Sequence, residues 1–201
     1  MVSVAAIHRL RTENFFRNEH NTMITITLPD NTAIEAEEGT TLHDIAAGIG
    51  AGLAQAALAG KINGETLVDT SYAVTEDCSI EIITSRSPEA LDILRHSAAH
   101  IMAAAVQKVF ANVKFGIGPS IDTGFYYDFD IGRPLTEEDI DTVEKEMKSI
   151  IKGNAQFSRE ELPREQAIAR MKERGEVYKV ELLKELEEET VSMYTTGDFI
   201  D

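Results

Sequence analysis

Positive charge is scarce in this sequence: 19 Lys and Arg stand against 35 Asp and Glu, a net charge of −16. Tight nonspecific binding to nucleic acid is driven mainly by neutralising phosphates, so this balance excludes a general nucleic-acid coat. An RNA ligand would have to be docked by shape and local basic residues, or held mostly by another part of a larger protein. Cysteine is nearly absent, and the single Cys78 excludes an intramolecular disulfide and fits a reducing compartment. No apolar run approaches the roughly 20 residues that span a bilayer, so no membrane association is expected. Internal repeats and low-complexity tracts are also missing. What remains, 43% apolar and 27% charged over 201 residues, is enough for one large or two small globular domains.

The first 22 residues pair Arg9, Arg11 and Arg17 with Phe15 and Phe16. Val2–Ile7 is too short for a secretory core, and Glu13 and Glu19 speak against an organellar presequence. This stretch is expected to be a disordered extension, or an over-called start ahead of Met23. From Met23 the pattern changes. Residues 23–28 alternate and are β-branched, Pro29-Asp30-Asn31 is turn chemistry, and residues 32–36 alternate back, which predicts a hairpin. A Thr-capped helix is expected from Leu42 to Ala47, strands over 57–62 and 65–68 about an Asn63-Gly64 turn, and a closing strand over 79–83. The order ββαβββ implies one sheet with a helix across it. His43 is read as an exposed first-turn residue and Cys78 as a strand-edge residue, neither with a chemical role.

Leu91–Phe110 is the longest helical signal. Leu91, Leu94, Ala98, Ile101, Met102, Ala105 and Val109 recur at three- and four-residue steps and predict its buried face. Ser87 is the expected N-cap and Pro88 the first helical residue. His96 and His100 lie four apart on this helix, which stacks both imidazoles on one face. By spacing alone such a pair is a structural or surface feature, a partial metal site, or a holder of water and ester together. Ser97, where a metalloprotease needs glutamate, excludes that class.

Strands are expected over 113–119 and 124–129, the second carrying an aromatic cluster that is unusual in a chain only 6% aromatic. Tyr126 and Tyr127 should point to opposite faces, leaving one exposed as a platform for a nucleobase. A helix capped by Thr136 should run to Lys152 with Ile140, Val143, Met147, Ile150 and Ile151 on one face. A strand over 157–162, helices over 163–174 and 180–189, and strands over 190–194 and 199–201 complete the pattern.

The segments RHSAAHIMAAAVQKVF, FGIGPSIDTGFYYDF, RGEVYKVELL and YTTGDFID, in this order and spacing, closely resemble the amino-terminal part of bacterial-type threonyl-tRNA synthetase. The resemblance implies an α+β chain: a ubiquitin-like β-grasp (TGS) domain over 23–86, then over 87–201 an editing domain with a long central helix and antiparallel sheet. Such an editing domain hydrolyses seryl-tRNA formed by mistake on threonine tRNA. His96, His100, Lys179 and Asp201 match its catalytic pocket, and Tyr127 matches a substrate-binding tyrosine near the terminal adenosine. The family continues after this aspartate with a Cys-x-x-x-His motif, so the editing domain is expected to be truncated here and Asp201, as terminal residue, to fray. No aminoacylation domain matches, so no cofactor is expected, because zinc, ATP and magnesium would belong to that missing domain. Zinc at the histidine pair should bind poorly. The implied partner is threonine tRNA, held weakly; the family protein is a cytoplasmic homodimer, and this piece is expected to be monomeric. The competing readings are a TGS-type interaction module without catalysis and an HxxxH metal-binding domain.

The switch near Ser85 from short alternating strands to a long alanine-rich helix predicts two units that fold independently. Limited proteolysis should release a stable fragment ending within 84–88. A protease-resistant chain with no cut there would refute the boundary.

Overall fold

The computed structural model describes residues 22–201, so the amino-terminal extension lies, but for Thr22, outside the described residues. The chain divides into two compact units between Ile82 and Ile83, and its class is α+β.

In the first unit, β1 (Met23–Thr27) and β2 (Ala33–Glu37) form the hairpin expected from alternation. Next come β3 (Thr40–Thr41), α1 (Leu42–Ile49), α2 (Ala51–Ala56), β4 (Ala57–Ile62), β5 (Thr66–Val68), β6 (Ala73–Val74) and β7 (Cys78–Thr84). The sheet order is β2-β1-β7-β4-β5, with β7 parallel to β1. That is the β-grasp arrangement, one helix held over a mixed sheet. Thr41 caps α1 by accepting from the Asp44 N–H, and Asn63 and Gly64 both take the positive φ that a two-residue hairpin requires (51° and 76°). Ile24, Ile26, Leu42, Ile45 and Ile80 form the core. A Cβ on Gly60 would lie 2.5 Å from the Leu42 Cδ1, so only glycine lets the helix settle on β4. Cys78 is not at a sheet edge: it opens the central strand β7 and is buried in the core. Helix α2 and the β3–β6 bridge carry no periodicity legible in so few residues.

The second unit is built on α3 (Ala90–Val109). It starts two residues later than the capping pattern suggests, because the Ser87 hydroxyl is used to accept from the Thr84 N–H and no side chain caps the helix. Its buried face also differs from the periodic one. Ala90, Ala99, His100, Ala103, Ala104, Ala105 and Val106 are buried, whereas Leu91 and Leu94 are 56% and 45% exposed. The alanines let a neighbouring helix approach closely, and bulk is excluded from that contact. The neighbour is α4 (Glu137–Lys152). It opens with a reciprocal capping box between Thr136 and Asp139 and buries Val143 and Ile150, but not Ile140 or Ile151.

Between these helices the expected long strands break into two-residue pieces. β8 (Lys114–Phe115) pairs with β11 (Phe129–Asp130), and β9 (Ser120–Ile121) with β10 (Gly124–Phe125). A layer of β12 (Phe157–Pro163), β13 (Thr190–Thr196) and β14 (Phe199–Ile200) follows, with α5 (Arg164–Arg174) and α6 (Val177–Glu185) inserted between β12 and β13. Gly175 at φ 75° ends α5 and lets α6 begin at once, three residues ahead of the helix expected at Val180.

Replacing the fully buried Ala103 by Leu should cost ~1–3 kcal/mol through overpacking, whereas Leu94→Ala should stay within about 0.5 kcal/mol. Urea midpoints of the two variants measure this. The reverse ranking would restore the periodic face as the core.

Candidate functional site

α3, α6 and β14 bring together side chains that are far apart in sequence. One helical turn separates His96 from His100, and their Nε2 atoms are 3.0 Å apart. His100 is buried (3% exposed), with its ring edge-on to Phe157 and Phe199. His96 is exposed. The His100 Nδ1 is 3.7 Å from the Asp201 Oδ2 and has no hydrogen-bond partner. A carboxylate on that side favours a proton on Nδ1. The His100 Nε2 then accepts from the His96 Nε2–H, and the free lone pair of the two rings is the His96 Nδ1. Burial drives His100 down to about 4, only partly opposed by the Asp201 charge, so it is neutral at pH 7.

Lys179, in the first turn of α6, is 5% exposed. Its ammonium donates to the Asp201 Oδ1 and, at 3.0 Å, to the Tyr127 hydroxyl, which itself donates to the Asp201 Oδ1 at 2.8 Å. The ammonium also lies over the Phe199 and Tyr127 rings, 5.0 and 5.7 Å from their centres. Burial pushes the Asp201 carboxyl up. The Lys179 charge and hydrogen bond, with His100 and Tyr127, more than offset this and hold the group below the ordinary carboxylate range. Burial and the Asp201 charge drive the Tyr127 hydroxyl well up, so it stays a donor. Asp201 does not fray. Its N–H and C=O both bond to Tyr194 (2.8 and 2.7 Å), and its side chain is held twice.

Tyr127 and Tyr126 do face opposite ways, but the buried one is Tyr127, at 6% against 41%. The Tyr127 ring packs edge-on against Phe115 and Phe199, so its hydroxyl, not a stacking face, reaches the site. A Cβ on Gly118 would lie 2.0 Å from that ring, which explains the glycine. Gly116–Pro119, His96, Lys179 and Asp201 line a cavity of about 530 Å³, closed by Met171, Leu183 and Met193. That volume is in the range of small-molecule sites. The apolar lining residues, and the Phe115 and Phe199 rings packed on Tyr127, carry no sequence signal of their own, whereas the Gly-x-Gly-Pro segment is a visible hint of close backbone approach.

The two Nε2 atoms of the histidine pair already satisfy each other, and among the described residues no group of three His, Cys, Asp or Glu is placed to hold an ion. No helix of the described residues is long and apolar enough to cross a membrane.

Residues 24–84 match the TGS domain. Over 178 residues, 89% of this chain, it is 49% identical to the threonine–tRNA ligase of Pelobacter propionicus. It is 47% identical over 180 residues to the corresponding enzyme of Acetivibrio thermocellus and to threonine–tRNA ligase 1 of Bacillus subtilis. The chain spans 28% of the length of each of these relatives, and its similarity is to their amino-terminal part.

A lowered histidine pKa means that the unfolded chain binds a proton between about 4 and 6.5 that the folded chain refuses. Stability from His100 is therefore complete above about 6.5 and lost as pH falls toward 4, on the order of 2–3 kcal/mol. Denaturant titrations at pH 7 and pH 4.5 should show a smaller acid loss in His100→Asn than in the parent chain. Equal losses would show that His100 does not resist protonation.

Proposed function

We propose, from its kinship with the amino-terminal part of threonine–tRNA ligases, that this chain acts in post-transfer editing: the TGS domain contributes to binding threonine tRNA, and the second unit hydrolyses serine from it. The observation that supports this most is the meeting of His96, Lys179 and Asp201 on one cavity. A binding pocket alone discriminates by about 1–3 kcal/mol per methyl group, too little for faithful translation. A hydrolytic second sieve that admits serine, and whose walls clash with the extra methyl of threonine, supplies the rest.

The residues divide the work by exposure. His96, with its free Nδ1, takes a proton from the water that attacks the ester carbonyl. Buried, neutral His100 fixes the tautomer of His96 and does not touch substrate. Lys179 offsets the negative charge of the tetrahedral intermediate, and Asp201 holds the α-ammonium of the amino acid. Collapse breaks the ester bond, and the proton taken by His96 passes to the departing 3′-oxygen, leaving serine and free tRNA. No cofactor or metal enters this scheme. The setting proposed is the cytoplasm, with tRNA as partner.

The 201-residue chain should deacylate seryl-tRNA weakly, although it carries His96, His100, Lys179 and Asp201. Its net charge of −16 gives little hold on tRNA, and the Cys-x-x-x-His half of the family's site is not part of it. Extending the chain through that motif should restore serine-selective deacylation, and His96→Ala in the extended form should remove it. An extended form inactive on seryl-tRNA but still folded would favour a TGS-type interaction module. Stoichiometric zinc retained through dialysis against a mild chelator would favour the metal-binding reading.

A further inference from the structure

Glu176 is a buried carboxylate that the scheme above does not use. It is 8% exposed and directly precedes α6. Its Oε2 accepts one long hydrogen bond, 3.4 Å, from the Phe115 N–H. That is thin compensation for removing a carboxylate from water. Lys179 stands three residues further on, in the first turn of α6, and the Glu176 charge is felt at Tyr127, the hydroxyl that Lys179 contacts. Around the Tyr127 hydroxyl the charges are thus one cation, buried Lys179, and two anions, half-buried Asp201 and buried Glu176. His100 is neutral, and Tyr127 keeps its proton.

We propose that Glu176 is a specificity-determining residue, the second anion that gives the site one negative charge in excess and so selects a ligand bearing a protonated amine. Asp201 alone cannot do this. Its charge is already matched by Lys179, and an incoming ammonium would meet a neutral pair with a cation facing it. With Glu176 counted, an α-ammonium brings the set to neutrality, and an N-blocked aminoacyl group does not. Glu176 acts at a distance through charge, and through its bond to the Phe115 backbone it steadies the strand leading into Gly116–Pro119. The inference deepens the editing reading and rests on it for the identity of the natural ligand, but its test needs neither tRNA nor hydrolysis.

The probes are serinamide, which carries the ammonium at pH 6, and N-acetylserinamide, which does not. Binding to the full chain is followed through the His96 and His100 ring resonances. The parent chain should prefer serinamide by about tenfold or more. Glu176→Gln keeps an oxygen for the Phe115 N–H and should lose most of that preference, while Glu176→Asp should keep it. As a check that does not depend on how Glu176→Gln folds, Asp201→Asn, which also leaves a single anion against Lys179, should lose most of the preference as well. A parent chain indifferent to the amine, or an undiminished preference in a folded Glu176→Gln or Asp201→Asn, would each overturn the proposal. Amine selection that depends on Glu176 in a protein whose extended form never deacylates seryl-tRNA would keep this inference and remove the editing reading.

Discussion

The buried ion pair between Lys179 and Asp201 is the constraint on which the second unit depends. A lysine in the first turn of a helix stands at the positive end of the dipole, where a cation is disfavoured, and this one is also withdrawn from water. It is tolerated because Asp201 and the Tyr127 hydroxyl meet it directly and two aromatic rings lie beneath it. Removing either charge would strand the other, a loss of about 3–5 kcal/mol for buried pairs in general. Apolar residues of similar volume would pack at less cost, so the pair is in keeping with the ligand site proposed for this cavity.

The same pair explains the order in the last strand. β14 is two residues long, too short to hold its place by ladder bonds alone. Asp201 extends it through both backbone bonds to Tyr194, and its side chain reaches across to α6. Phe199 fills the space beneath, against Phe115 and Tyr127. Site and core are therefore one structure: the aromatic cluster that makes the unit stable also orients the hydroxyl that fixes the carboxylate.

Charge separates the two units from their proposed partner. Residues 22–82 carry ten Asp or Glu and one basic residue, Lys61. A β-grasp surface of that composition would have to meet the proposed tRNA by shape and by a few local contacts, because attraction to phosphate is not available to it. In a larger assembly, basic surface elsewhere would have to supply the affinity, and these units would supply selectivity.

Local chemistry made much of this legible. Alternation placed β1 and β2, Asn63-Gly64 placed the turn between β4 and β5, Thr41 and Thr136 placed two helix starts, and Gly175 placed a helix end, because each depends on residues within a few positions. The i,i+4 spacing is likewise enough to put His96 and His100 side by side on one helix. Tertiary packing decided the rest. Which side of α3 is buried was settled by the approach of α4, which wants alanine where periodicity favoured leucine. Tyr127 meets Asp201 across 74 residues and Lys179 across 52, and no local pattern encodes contacts made by chain reversal. The sequence alone determined which groups could do chemistry; the fold decided which of them is buried, charged and in reach, because burial and electrostatic pairing exist only once distant segments have closed around one another.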